Sequence, residues 1–381
     1  MRIALIKRRY SLKIGGSERY CVTLARNLRA AGHDVAVIGE SIDEELSGEV
    51  TFLPVSTNKL TSWTRNRSFA KNAGKIAQAG RFDIVYALGR AFGVDCVRVT
   101  ERLQSHWLDV YYRHPLNRLL QRFNPRHRTL IDLERTIYNL PETRRIVTQS
   151  QLDRKLLLET YGVPESKIRT IYNGVDTQAF CPTMRQLSPF VRRELGVPEG
   201  VPLLVFASMD FEGKGLRSIL KALAATRHRT ARLLVLGNGP IRKFQGVAGE
   251  LGVGERVLFA GRRSDIARYY GSGDLFLLPT AYEPFPNVNL ESMACGLPVM
   301  TTSTAGGADV VKTGENGYLI SDVHAVDEMI AAIDTHLGLS ETDRQRMSEA
   351  CWATALQFPI ERNVQQTLSM FEEVVREKRA A

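Results

Sequence analysis

Short runs of Val, Ile, Leu and Phe, bounded by polar and glycine-containing turns, alternate along the chain with longer stretches whose apolar residues recur at helical spacing. Runs of the first kind suit strands buried on both faces and stretches of the second kind suit the helices that cover them, so their alternation predicts parallel sheets assembled from strand-helix-strand units. Two series are present. The first places strands at Ile3–Ile6, Val35–Ile38, Phe52–Val55, Ile84–Leu88, Val97–Thr100, Ile146–Thr148 and Ile168–Ile171; the second places them at Leu203–Ala207, Leu233–Leu236, Val257–Ala260, Leu275–Leu278, Val299–Thr302 and Tyr318–Ile320. The pattern predicts an α/β protein with two doubly wound domains in tandem.

The clearest helix spans 17–31, with Ser17 as N-cap, Val22, Leu24, Ala25 and Leu28 on one apolar face, and Gly32 as the stop. Asn173-Gly174-Val175-Asp176 and the stretch through Pro182 and Pro189 read as a hinge, which sets expected domains at 1–180 and 181–359. The last segment, 360–381, is amphipathic through Val364, Leu368, Phe371 and Val375, and is expected to pack as a terminal helix that crosses back to the first domain.

Composition narrows the class. At 381 residues, 44% hydrophobic and 24% charged, the chain is globular and long enough for two cores. No run approaches the about 18 apolar residues of a membrane span, so a cytoplasmic location is expected. Cys21, Cys96, Cys181, Cys295 and Cys351 are scattered without a C-x-x-C pair and read as small core residues. The net charge of +10 is one-sided: residues 1–180 carry +11 and residues 181–381 carry −1. Such a field faces nucleic acid, an anionic membrane or a phosphorylated substrate.

Ligands of open parallel sheets bind beyond the carboxyl ends of the strands, so the residues just after each predicted strand come first. After the first strand lies Gly15-Gly16-Ser17-Glu18-Arg19, an anion-facing turn at a helix start. After the first strand of the second series lies Ser208-Met209-Asp210-Phe211-Glu212-Gly213-Lys214-Gly215, where an ammonium between glycines suits a phosphate. It lacks the pattern of a nucleoside-triphosphatase loop, and Gly237-Asn238-Gly239-Pro240 lacks the third glycine of a dinucleotide fingerprint. The richest stretch runs from Glu283 through Pro284, Phe285, Pro286, Asn287, Val288, Asn289 and Leu290 to Glu291, and on to Ala294-Cys295-Gly296-Leu297-Pro298-Val299. Two carboxylates, one in a loop and one in the first turns of a helix, suit a sugar diol, while the amides of residues 287–289 suit a diphosphate.

Gly15-Gly16 with Arg19, Lys214-Gly215, Gly237-x-Gly239-Pro240 and the two-glutamate run resemble, in order and spacing, the retaining GT-B glycosyltransferases. Ser208-Met209-Asp210-Phe211, Gly261-Arg262-Arg263-Ser264-Asp265 and Arg135 bring the resemblance nearest to the lipopolysaccharide core glucosyltransferases. The resemblance implies two Rossmann-like domains with a cleft between them, a nucleotide-sugar donor on the second and an acceptor on the first. It assigns Glu291 to the ribose, Glu283 and the backbone of Phe285, Pro286, Asn287, Val288 and Asn289 to the donor sugar, and Lys214 to the diphosphate. Arg262 and Arg263 fall where such enzymes hold the base, and Gly16 leaves room for the diphosphate. An arginine that many members carry before the lysine is missing, so Arg19 is the candidate for the second positive charge.

The chain has no D-x-D, so fixed cations and helix amides rather than a chelated metal are expected to stabilise the departing nucleoside diphosphate. No cofactor beyond the nucleotide sugar, UDP-glucose by resemblance, is expected. Near the fifth strand, Glu101 and His106 compete for a place at the reacting centre. Beyond them, Arg113, Arg118, Arg122, Arg126 and Arg128, with Leu116, Leu119, Leu120 and Phe123 between, form a stretch without acids from Val110 to Ile131. It suits a helix lying on an anionic membrane or meeting a phosphorylated glycolipid acceptor. The same composition suits RNA, but no RNA-binding module is recognisable. The combined expectation is a metal-independent retaining transferase that moves a hexose, glucose by resemblance, to a lipopolysaccharide core acceptor at the cytoplasmic face of the inner membrane. Its alternatives are a transferase for another envelope polysaccharide, a nucleotide-sugar epimerase and a nucleic-acid binder.

Overall fold

The computed structural model describes residues 1–112 and 114–380. The chain divides into two units, Met1–Tyr172 joined by the segment from Glu361 onward, and Asn173–Ile360. The first division lies before the expected boundary at 180 because Val175 bridges to Pro359 and the backbone of Gly174 lies against Ile360, which ties the proposed hinge residues into the second unit.

The strands are β1 (Arg2–Ile6), β2 (Arg9–Tyr10), β3 (Asp34–Gly39), β4 (Ser41–Ile42), β5 (Thr51–Pro54), β6 (Ile84–Ala87), β7 (Cys96–Arg98), β8 (Arg145–Thr148), β9 (Ile168–Thr170), β10 (Leu203–Ala207), β11 (Arg232–Leu236), β12 (Val257–Gly261), β13 (Leu275–Leu278), β14 (Val299–Thr302) and β15 (Gly317–Ile320). The first unit holds a sheet in the order β5-β3-β1-β6-β7-β8-β9, and the second one in the order β12-β11-β10-β13-β14-β15. Every pairing is parallel, with Ile3 beside both Val35 and Ile84 in the first sheet and Leu204 beside both Leu233 and Leu275 in the second. The central strands are buried throughout, from Ile3 to Ile6 and from Leu203 to Ala207, as continuous apolar runs require when helices cover both faces. β2 and β4 pair only with each other; two residues each are too few to leave a periodic trace in the sequence.

In each sheet the chain order reverses once, between β1 and β6 and between β10 and β13. Such reversals open a crevice at the carboxyl ends of the two strands, because their connections leave in opposite directions. Among the described residues, no helix is long and apolar enough to cross a membrane. Four cysteines are buried, whereas Cys181, expected in the core, is half-exposed beside Thr183 in the segment entering the second unit.

The first long helix runs Gly16–Ala30 and buries Tyr20, Cys21, Val22, Leu24, Ala25 and Leu28. Its N-cap is Gly15 rather than Ser17, because Ser17 lies inside the first turn and its hydroxyl accepts a hydrogen bond from Lys7 Nζ at 2.9 Å. The terminal helix, Ile360–Ala380, belongs to the first unit from Glu361 onward.

Candidate functional site

The second unit builds its crevice from the loops after β10 and β13. After β10 the chain folds into a self-bonded turn: Ser208 Oγ accepts from the Asp210 amide at 2.9 Å, and Asp210 Oδ1 accepts from the Gly213 amide at 2.9 Å. Phe211 anchors the turn, buried with its ring edge-on to Phe206 and Phe244 at 5.8 and 5.7 Å. Gly237, at the end of β11, has a φ of +125°, and a Cβ there would lie 1.7 Å from the Ser208 carbonyl oxygen, so only glycine lets the two loops cross.

The turn presents Lys214, whose ammonium forms an ion pair with the Glu283 carboxylate from the loop after β13. The loop after β14 holds the Glu283 segment. The Gly306 amide donates to the Glu283 carbonyl at 2.9 Å, and Thr302 and Thr304 hydroxyls donate to the Thr280 and Ala281 carbonyls at 2.6 and 2.8 Å. From there Phe285 and Pro286 are buried and lead into helix Asn287–Ala294, which starts without a side-chain cap. Amides at such a start point outward together and attract an anion. Asn173 Nδ2 donates to Asn287 Oδ1 and fixes that side chain beside the first turn. Val288 and Glu291 are half-buried, while Asn289 is completely buried against Gly307, its backbone amide donating to the Pro286 carbonyl at 3.1 Å.

Lys214, Glu283 and the start of helix Asn287–Ala294 thus meet at one strand reversal, with Glu291 one turn further along the same helix. Arg262 and Arg263 are exposed past β12, at the edge of the sheet two strands from β10; the Arg263 guanidinium lies 5.6 Å from the Tyr269 ring centroid.

The first unit places a second constellation at its own reversal. A cavity of about 20 Å³ there is lined by Lys7, Arg8, Leu88, Gly89, Arg90 and Glu101 among others, which is room for roughly one water. Lys7 is 4% exposed, and its ammonium donates to Ser17 Oγ and, at 3.3 Å, to the Leu88 carbonyl. Arg90 pairs with both Glu101 and the completely buried Glu134, which also accepts from Tyr161 Oη and the Gln104 amide. Burial pushes the Glu134 carboxyl above the ordinary carboxylate value, and Arg90 and Tyr161 only partly offset it. Burial pushes Glu101 the same way, but Arg90, Lys7 and Arg8 outweigh it and hold the carboxyl below the ordinary value. Glu101 therefore lines the cavity as a carboxylate. His106, its competitor, lies half-buried on helix Gln104–Tyr111, where burial lowers its pKa and Asp109 only partly restores it.

Gly15 and Gly16 open the first helix, and Arg19 is exposed on its first turn. Sequence reasoning missed Lys7, Arg90, Asn173 and Gly306. Lys7 directly follows β1 and Arg90 lies three residues past β6, so the rule that favours strand ends would have found them once the reversal was known. Asn173 and Gly306 act through loops distant in sequence and left no local signal.

Helix Pro115–Phe123 has no buried residue, and Leu116, Leu119, Leu120 and Phe123 are 58%, 51%, 60% and 66% exposed. Arg118 and Arg122 both reach Asp109, at 3.8 and 2.9 Å, so part of the charge expected to face outward is neutralised within the unit. Arg126 and Arg128 are exposed on helix Pro125–Asn139; Arg113 lies outside the described residues.

The chain belongs to the glycosyltransferases of the GT-B fold. The chain carries both family domains: residues 14–179 match Glycosyltransferase Family 4, and residues 201–338 match Glycosyl transferases group 1. It is 24% identical over 323 residues to the lipopolysaccharide glucosyltransferase WaaG of Escherichia coli, covering 83% of this chain and 84% of that one. It is 25% identical over 388 residues to the N-acetyl-α-D-glucosaminyl L-malate synthase of Bacillus anthracis, covering 96% and 95%. The crystal structure of WaaG shares the fold with a TM-score of 0.83 at 21% identity, over 97% of this chain and 99% of that one. Anabaena HepE, solved in complex with UDP and glucose, shares it with a TM-score of 0.75 at 20% identity, over 98% and 99%.

Proposed function

We propose that the enzyme transfers glucose from UDP-glucose to a phosphorylated glycolipid such as a lipopolysaccharide core intermediate, with retention of configuration and without a metal ion. The observation that carries this reading is the ion pair between Lys214 and Glu283 beside the uncapped start of helix Asn287–Ala294. Without ligand the two side chains neutralise each other. A diphosphate entering at the helix start competes for the Lys214 ammonium and leaves the Glu283 carboxylate to accept from sugar hydroxyls, while Glu291 accepts from the ribose diol. The bond from the anomeric carbon to the diphosphate oxygen breaks, the acceptor oxygen bonds that carbon from the same face, and the acceptor proton passes to the departing phosphate. Lys214 and the amides at the start of helix Asn287–Ala294 stabilise the charge that develops there, and Arg262 with Arg263 flanks the base.

UDP as the nucleotide is supported by the UDP and glucose bound in HepE, and the acceptor class by the name of WaaG. Work at the cytoplasmic face of the inner membrane is supported by the exposed apolar stripe of helix Pro115–Phe123, which no described residue of its own unit buries. A hydrolysis screen of UDP-, GDP- and ADP-sugars without acceptor tests the donor: turnover confined to UDP-glucose is expected, and a preference for another base or sugar would replace that assignment.

A further inference from the structure

Glu134, completely buried on helix Pro125–Asn139, accepts hydrogen bonds at both of its oxygens. Oε1 accepts from Arg90 Nε at 3.0 Å and from Arg90 Nη2, and Oε2 from the Gln104 amide at 3.0 Å and from Tyr161 Oη. The rest of the Arg90 guanidinium reaches outward, Nη2 to the Arg102 carbonyl at 3.0 Å and Nη1 to Glu101 Oε2. An interior carboxylate thus holds an arginine, and the arginine holds a half-buried carboxylate in the crevice of the first unit. Such a chain is a weak source of stability, because taking charges out of water costs about as much as their attraction returns. Its geometry is what the fixing of one oxygen atom requires, a side chain locked by a second layer of charged hydrogen bonds.

That oxygen is Glu101 Oε1, which accepts from no described residue. Glu101 and Gly89 both line the cavity of about 20 Å³ at the strand reversal. Gly89 has a φ of +146°, and a Cβ there would lie 3.6 Å from Oε1, so the position beside this oxygen stays bare. Lys7, in the same lining, uses two of its three N–H groups on Ser17 Oγ and the Leu88 carbonyl. A group entering the cavity therefore meets a carboxylate oxygen and an ammonium. A hydroxyl, donor and acceptor at once, satisfies both. A phosphate exceeds the room for roughly one water and is repelled by the Glu101 charge.

We infer that the cavity receives one hydroxyl of the sugar that is glycosylated, which donates to Glu101 Oε1, and that Arg90 and Glu134 are the positioning residues that hold this carboxylate in place. Neither positioning residue touches the sugar; each acts through Glu101. The inference rests on the transferase reading above for the identity of the ligand, and on the first unit alone for the geometry.

The probe is lipopolysaccharide from a strain whose core lacks hexose, with UDP-glucose as donor. Glu101→Gln is expected to lower kcat/KM for the lipopolysaccharide roughly ten- to a hundredfold, as loss of a charged hydrogen-bond acceptor does, with calorimetric affinity for UDP unchanged. Arg90→Lys and Glu134→Gln are each expected to show the same split. Because both act through Glu101, combining either with Glu101→Gln is expected to add about twofold at most, whereas independent structural damage multiplies. Should Glu134→Gln fail to fold by circular dichroism, Arg90→Lys carries the cycle. Wild-type kcat/KM in Glu101→Gln would overturn the hydroxyl site, and losses that multiply in the double variants would overturn the positioning pair. A crystal structure of the ligand-free protein is expected to show one water within hydrogen-bond distance of Glu101 Oε1, and a dry cavity would overturn the site whatever the ligand. Absence of transfer by wild-type protein that still hydrolyses UDP-glucose would overturn the lipopolysaccharide assignment above and not this site, which the same cycle read on hydrolysis, with water in place of the hydroxyl, decides.

Discussion

Lys214 and Glu283 lie 69 residues apart and meet because each lies in the loop that follows a strand on one side of the reversal between β10 and β13. Both were legible in the sequence: a lysine between glycines and a glutamate before a proline-rich helix start are local signals placed after strong apolar runs. Their mutual pairing was not legible, since it depends on strand order. Replacing Lys214 with Ala removes the fixed cation and leaves Glu283 without its partner. A loss of roughly 10² to 10³ in kcat for UDP-glucose hydrolysis is expected. Glu291→Ala removes a charged hydrogen-bond acceptor of about 1.5–3 kcal/mol, so calorimetry should find UDP bound roughly ten- to a hundredfold more weakly. Unchanged affinity would reject the ribose role. Because no D-x-D occurs, EDTA should leave turnover intact, and a complete loss restored by manganese would show that the cations described are insufficient. The network of Arg90, Glu101 and Glu134 could not be read in advance, because Glu134 looks like any polar residue of an amphipathic helix until its partner 44 residues away is placed.

Among the elements, helix Ile360–Ala380 shows what amphipathic spacing reveals and what it hides. Val364, Phe371 and Val375 are buried as their spacing predicts, whereas Leu368, assigned to the same face, is only half-buried. The hidden part is polar. Asn363 accepts from Tyr20 Oη at 2.9 Å, Arg145 pairs with Glu373 and Glu377, and Lys378 donates to the Asp83 carbonyl and pairs with Asp95, contacts that join residues more than 190 positions apart. Phe371 is completely buried, edge-on to Tyr86 of β6 at 5.1 Å. Phe371→Ala should therefore cost about 3–5 kcal/mol, measurable by denaturant unfolding of the first unit. Hydrogen bonding to Arg145, opposed in part by burial and reinforced by the charges of Arg145 and Arg169, holds the Glu373 carboxyl below its ordinary value. A depressed carboxylate contributes stability that is fully present above the ordinary value and is lost as pH falls through it toward the folded value. The wild-type protein should thus lose stability faster than Glu373→Gln on acidification below about pH 4.3. Parallel stability curves for the two would count against this anchor.

For the whole molecule, the chain path sets what can fold alone. The alternation of apolar runs disclosed the thirteen strands of the two main sheets to within about two residues, because strands buried on both faces cannot be polar. The path between the units was less legible. It turns on a bridge between Val175 and Pro359 and on Gly174 lying against Ile360, and neither has a periodic signature. The second unit is one uninterrupted segment, Asn173–Ile360, with a complete sheet and its own crevice. The first is interrupted and takes its last helix from the end of the chain. A fragment of residues 173–360 should consequently give cooperative thermal unfolding and bind UDP within about tenfold of the full chain, a difference of about 1.4 kcal/mol, since Lys214, Glu283 and Glu291 all lie within it. Residues 1–172 alone should not fold, because Tyr86 and Arg145 would lose Phe371, Glu373 and Glu377; adding residues 361–380 as a separate peptide should restore circular dichroism and protease resistance. A folded 1–172 fragment would mean that the terminal helix is an accessory to the first sheet rather than part of its core. Failure of 173–360 to bind UDP would move essential donor contacts onto the first unit, with Arg19 the first residue to test.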